Sequence, residues 1–451
     1  MTNLEIKTEE PGQSNSQTPL LTPNSNHDNH TNNHDNKNHE ECDCSEVDHS
    51  LVRLEKFLNA LGFDQGSVLA SVIWWTVFLA VGVAVPLVAL WLCDCSECEM
   101  YELRGCEMVI VTFQATLAAA SLLCLSHNLR KYGIRRFLFV DRYTGHDSSF
   151  HRDYVKQISG SLRLLILWMF PCFILKTARE IIRISYVQHG SWWLSLGIFS
   201  ALIISWTYVS AISLSACVLF HMVCNLQVIH FVDYGKLLER EGDVLVLLEE
   251  HIRLRYHLSK ISHRFRIYLL LSFLVVTVSQ VVTLLQVTGY RNMITIVNGG
   301  DFAVSTLVQV VGIVICLHAA TRISHRAQGV VSLASRWHAM VTCTSSDSSH
   351  SRSSASMGNL LEASNNLNSI HIDYSESDLE SLDYPGMSIS NTQLVSQMSS
   401  NHKRQSFVMY LQTNPGGITI FGWTVDRSLV NTIFFLELSL VTFVLGQTLI
   451  S

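Results

Sequence analysis

Apolar residues in this chain come in long unbroken runs, not at the three-to-four-residue intervals of a helix with one buried face. Five runs, Ser67 to Leu92, Met108 to Ser126, Gly190 to Ile229, Ile267 to Tyr290 and Phe302 to Thr321, hold no Lys, Arg, Asp or Glu. Each is long enough as a helix to cross a hydrocarbon layer about 30 Å thick. Two more, Ser159 to Ile184 and Val425 to Ile450, carry internal charge. The pattern predicts an all-α polytopic membrane protein with seven transmembrane helices.

The run from Gly190 to Ile229 is 40 residues long, enough for one over-long helix or two short ones. Cytosolic loops collect Lys and Arg. Two clusters flank the run, seven Lys or Arg from Arg130 to Lys156 and seven from Lys236 to Arg266. One crossing puts both on the cytosolic side, whereas two would strand the second outside. A single long helix projecting beyond the bilayer is therefore expected. The segments left outside, Cys93 to Glu107, Ser185 to His189 and Gly289 to Asp301, hold only Arg104 and Arg291 as basic residues. The N-terminus is then cytosolic and the C-terminus extracellular. The first apolar run is too long for a signal-peptide core and serves as signal and anchor together.

Composition agrees, at 48% hydrophobic, 15% charged and seven Pro. It also divides the chain. Residues 1–50 are Asn/His-rich and read as a disordered cytosolic N-terminus; 51–341 hold six helices with cytosolic extensions; 342–401 read as a disordered Ser-rich cytosolic loop; 402–451 form a pre-helix segment and the seventh helix. The N-terminal His27, His30, His34 and His39, with Cys42 and Cys44, lack the spacing of a structural metal site, and no metal or cofactor is expected. Serines beside Arg352 and among Asp378 and Glu380 offer substrate to a kinase, the alternative being a passive spacer. Cys93, Cys95, Cys98 and Cys106 crowd one outer loop. Outside the cell they are disulfide candidates, with three pairings open; a zinc or calcium site with Asp94, Glu97 and Glu99 is the competing reading.

Charge inside a span is costly and normally faces a partner or water. Lys176, Arg179, Glu180 and Arg183 share one face in the outer half of the third helix, near Tyr186, Trp192 and Trp193. They form either a cationic and aromatic ligand vestibule or side chains that snorkel or pair within the bundle. On the last helix Ser428, Asn431, Thr432, Phe435, Ser439, Thr442 and Gly446 fall on one stripe at about 100° per residue. That stripe suits a pore lining or tight packing against a copy of itself. Glu437 falls opposite; as a buried charge it is expected to turn into the bundle towards a cation or to stay protonated.

The tetrad ISHR occurs twice, at Ile261 to Arg264 before the fifth span and at Ile323 to Arg326 after the sixth. Both copies fall at one cytosolic mouth. Their charged residues, His263, Arg264, His325 and Arg326, read as a cytosolic anchor. Either the arginines hold anionic headgroups, or the histidines make a proton- or ligand-sensitive contact between helix extensions.

Four stretches, RKYGIRRFLFVDR from Arg130, HIRLRYHLSKISHRFR from His251, TRISHRAQ from Thr321 and GGITIFGWTVDRSLVNTIFFLELSLV from Gly416, resemble a plant family of uncharacterised seven-helix membrane proteins. That family is distantly similar to insect gustatory and odorant receptors. The resemblance covers Leu51 to Ser451 apart from the Ser-rich loop, although the insect signature at the last helix is not kept, since Ile433 follows Thr432 and Ser439 stands where that signature has Gln. It implies a chemoreceptor-like, homotetrameric, ligand-gated cation channel. The last helix would line the pore, the outer bundle would hold a small-molecule ligand, and the helix extensions would form subunit contacts.

The first expectation is thus a gustatory-receptor-like channel in the plasma membrane. Its partners would be the lipid bilayer, copies of itself, a small-molecule ligand and a kinase at the Ser-rich loop, and not nucleic acid. The alternative is a non-conducting membrane receptor or scaffold signalling through that loop. A secondary transporter lacks the expected inverted repeat, the orientation is the reverse of a G-protein-coupled receptor, and no nucleophile and base, phosphate loop or HExxH motif marks an enzyme.

Overall fold

Long helices dominate because uninterrupted apolar sequence holds few residues that stop a helix. The computed structural model describes residues 31–92, 101–138, 148–186, 192–240, 243–289, 296–346, 400–420, 422–425 and 427–450. Helix α1 is Thr31–Ala60, and α2, Val68–Val77, continues through a π-helical stretch, Phe78–Ala84, into α3, Val85–Leu92. Next come α4 (Tyr101–Tyr132), α5 (Ile134–Phe137), α6 (Ser148–Tyr186), α7 (Trp192–Arg240), α8 (Val244–Gly289), α9 (Ile296–Ser346), α10 (Ser400–Thr413) and α11 (Arg427–Ile450). The fold is helical throughout the described residues apart from one short pairing between α10 and α11, where β1 (Thr419–Ile420) runs antiparallel to β2 (Trp423–Thr424).

The described part of the ambiguous run, from Trp192 on, lies in one helix, α7, which has 49 residues, beside α8 with 46 and α9 with 51. At about 1.5 Å per residue each rises roughly 70 Å, twice the thickness of a bilayer core. Half of each is free to project beyond the membrane.

Breaks fall where the sequence supplies breakers. Gly62 ends α1 at φ 85°, with its N–H donating to Asn59 O at 2.9 Å and the Phe63 N–H to Leu58 O at 3.0 Å. That is the Schellman closure. A Cβ on Gly62 would stand 2.9 Å from the Trp74 ring, so only glycine fits. Ser67 then caps α2, its Oγ accepting the Ala70 N–H at 3.1 Å. The π stretch ends beside Pro86, which has no N–H to give and crowds the carbonyl four residues back. The Val85 N–H reaches Ala80 O instead, five residues back.

Val47, Leu51, Leu54 and Leu58 are buried at helical spacing, and this stripe packs α1 against α6. Helix α1 starts at Thr31, ahead of the boundary read at residue 50. Polar composition hid the helix, whose support comes from tertiary packing. Residues 1–30 and 347–399, most of the two segments expected to be disordered, lie outside the described residues.

Helices α7 and α9 form the centre, and small residues let them approach: Ala216, Ala319 and Ala320 are buried. A Cβ on Gly312 of α9 would come within 3.0 Å of Cys217 Sγ of α7. Helices α4, α6 and α8 pack around this pair. The rim turns apolar side chains outward, with Leu69 73% and Phe170 63% exposed, as befits a protein whose solvent is lipid. Among the described residues six helices are long and apolar enough to cross a membrane, within Val68–Trp91, Glu107–Tyr132, Arg152–Ile184, Ser195–Arg240, Val244–Val282 and Gly300–Val341. The chain is a multi-pass membrane protein. The seventh apolar run forms α11, 24 residues long and separate from those six.

Candidate functional site

The charged face of α6 is buried between α4 and α9. Lys176 Nζ stands 3.0 Å from Glu180 Oε1 and also donates to Asp301. Arg179 donates from Nη1 to Glu180 Oε1 at 2.6 Å and from Nη2 to Glu107. Arg183 adds Nη2 at 3.2 Å from Glu107 Oε2. Three cations on α6 therefore meet three carboxylates, one from α4, one from α6 itself and one from α9. Gly300 makes room for the contact, since a Cβ there would lie 3.3 Å from Arg179 Cγ. These charges pair with one another within the bundle. Trp192 and Trp193 are 74% and 78% exposed, and the Tyr186 side chain lies outside the described residues. Glu107 and Asp301 were missed in the sequence; the available signal was that each begins an apolar run at the outer end of another span.

At the other end of the bundle the two ISHR copies meet one strand. The Ile418 N–H donates to Ser324 Oγ at 3.2 Å, and the Thr419 N–H to Ser262 Oγ at 3.2 Å. Ile261 and Ile323, the first residues of the tetrads, are fully buried. Each copy thus contributes an Ile to the core and a Ser to consecutive backbone donors of the segment leading into α11. Buried N–H groups need such partners. The turn before them requires Gly416, at φ 64° with a Cβ position 3.4 Å from that of Ala327. Upstream, Arg255 Nη1 donates to Asn414 Oδ1 at 2.5 Å, tying the end of α10 to α8. Tyr410 OH lies 3.4 Å from His251 Nδ1, and burial pushes the Tyr410 hydroxyl up, so it stays neutral in this clasp.

The tetrads' charged residues part company. Arg264 is buried with its guanidinium 3.8 Å from the centre of the Tyr132 ring of α4, and His263 is half-buried, whereas His325 and Arg326 are exposed. Sequence reasoning weighed the titratable members and missed the serines, whose role depends on a strand arriving from more than 90 residues away.

On α11, Ser428, Asn431, Thr432, Phe435, Ser439 and Thr442 are exposed and Gly446 is half-buried. The hydroxyls bond back to their own helix: Thr432 Oγ1 to Ser428 O at 2.9 Å, Ser439 Oγ to Leu436 O at 2.8 Å and Thr442 Oγ1 to Leu438 O at 2.9 Å. The helix touches α8 and α9 and packs Ile433 against the core. The Glu437 and Cys106 side chains, and Cys93, Cys95 and Cys98 entirely, lie outside the described residues. Deeper in the bundle a narrow, mainly apolar cavity runs between α4, α7, α8 and α9, lined by Ser213, Cys217, Tyr268, Ser272 and Gln309 among others. Gln309 is buried and its Nε2 has no hydrogen-bond partner among the described residues.

No curated protein matches the chain. Among solved structures it is similar to the insect olfactory receptor OR5 from Machilis hrabei, with TM-score 0.48 and 10% identity over 88% of this chain and 99% of that one. A family model described as protein of unknown function (DUF3537) matches residues 49–436, from α1 into α11, and the chain belongs to that family.

Proposed function

We propose that this protein is a seven-span plasma-membrane receptor with a cytosolic N-terminus and an extracellular C-terminus, whose copies assemble as a homotetrameric, ligand-gated cation channel. Helix α11 is the seventh span. Ser428, Asn431, Thr432, Ser439, Thr442 and Gly446 line the pore, with Phe435 as its constriction. The observation that carries this reading is the exposed polar stripe of α11, which one chain leaves uncovered. A polar stripe is poorly matched to lipid tails, and copies gathered about an axis would turn it to water. The clasp at Ser262 and Ser324 supports it, because movement of α8 or α9 would be handed directly to the root of α11. The ligand is a small molecule held by the outer bundle.

Purified protein in planar bilayers tests the reading against a panel of such compounds. Ligand-dependent cation currents in wild type, blocked in Ser439→Trp, are expected; no currents, or currents indifferent to that substitution, would refute it. The charge-balanced outer network favours a second reading, a non-conducting receptor signalling through the Ser-rich loop. Removing 347–399 separates the two, since a channel keeps its currents and a loop-dependent receptor loses its signalling.

A further inference from the structure

A third polar cluster lies between α7 and α9, at the end where the apolar run of α9 stops. Arg322 Nη1 donates to Asn225 Oδ1 at 3.1 Å, and Asn225 Nδ2 stands 3.0 Å from His221 Nε2. His318, one turn before Arg322, is exposed like Arg322 itself, and both are near enough to act electrostatically on His221. His325 continues the same side of α9 at i+7 from His318. Among the described residues no carboxylate pairs with Arg322, His318 or His221. The outer network has one carboxylate for every cation; this cluster, among the described residues, has a cation and no carboxylate.

Such a set fits a tetrahedral anion. Arg322 uses one of its five N–H donors on Asn225, leaving a fork for two phosphate oxygens. The imidazoles of His221 and His318 supply further N–H donors beside it. Arg322 is the first charge after the apolar run ending at Thr321, where lipid phosphates lie. We propose that the side-chain cluster of His221, Asn225, His318 and Arg322 binds the phosphate headgroup of an anionic membrane lipid. The assignment to the cytosolic leaflet rests on the topology proposed above.

The test uses the full chain in detergent, titrated with short-chain phosphatidic acid, phosphatidylcholine of the same chain length, and inorganic phosphate, with bound lipid counted by native mass spectrometry. Phosphatidic acid is expected to bind saturably, about tenfold more tightly than phosphatidylcholine or inorganic phosphate. Arg322→Gln, which keeps a donor for Asn225, should lose about tenfold in affinity, the effect of one charge-assisted fork. His318→Gln, at an exposed position, should lose a few-fold with an unchanged thermal midpoint. Equal binding of the two lipids, or wild-type affinity in both variants, overturns the site. Inorganic phosphate binding as tightly as phosphatidic acid overturns the lipid as its source. If accessibility mapping puts Arg322 outside while selective binding persists, the topology fails and the site stands.

Discussion

The network on α6 and the stripe on α11 both set polar side chains into apolar helices, and they reach opposite solutions. On α6 the cluster of Lys176, Arg179, Glu180 and Arg183 finds its partners inside the same chain, through Glu107, Glu180 and Asp301. On α11 the hydroxyls are satisfied only by their own backbone, and the face they share is bare. The first arrangement is closed within one molecule; the second is left facing whatever surrounds the chain. Chemistry alone does not separate them, for charge is costlier in lipid than a hydroxyl is. The costlier groups are the ones closed off inside the chain.

The comparison breaks most visibly at Asp301. Asp301→Asn leaves Lys176 and Arg179 short of a carboxylate in a buried site, and about 3–5 kcal/mol of stability should be lost. Thermal unfolding in detergent measures it, and an unchanged midpoint would show that the charges are hydrated. A smaller effect is expected at the clasp. Ser324→Ala strands the buried Ile418 N–H, a cost of about 1–3 kcal/mol, Ser262→Ala the half-buried Thr419 N–H at less, and hydrogen exchange should quicken at Ile418 or Thr419 respectively. The smallest effect belongs to α11, where Thr442→Val removes a bond made only within its own helix and should change stability by less than about 1 kcal/mol. Its consequence, if α11 lines a pore, appears in conductance.

Legibility in the sequence follows the reach of each interaction. The spacing of Lys176, Arg179, Glu180 and Arg183 puts them on one face without any structure, because a helix fixes neighbours three and four residues apart. Their acids could not be assigned, since Glu107 and Asp301 are 72 and 125 residues from their partners. The length of α7 was legible because charge on its flanks restricts how often the chain crosses. The recurrence of ISHR was visible too, but the working atoms were not: a histidine or arginine declares its chemistry in any context, while a serine acquires a role only when a distant backbone segment, here Ile418 and Thr419, reaches it. Helix α1 was legible only from its apolar stripe, Val47, Leu51, Leu54 and Leu58, which packs on α6.

The uncovered stripe of α11 is best tested by imaging single particles of the full chain in lipid nanodiscs. Four copies around an axis, with α11 innermost and Ser439 facing the opening, is the predicted result. Single copies with α11 against lipid, or a ring built with α11 on its rim, would contradict it.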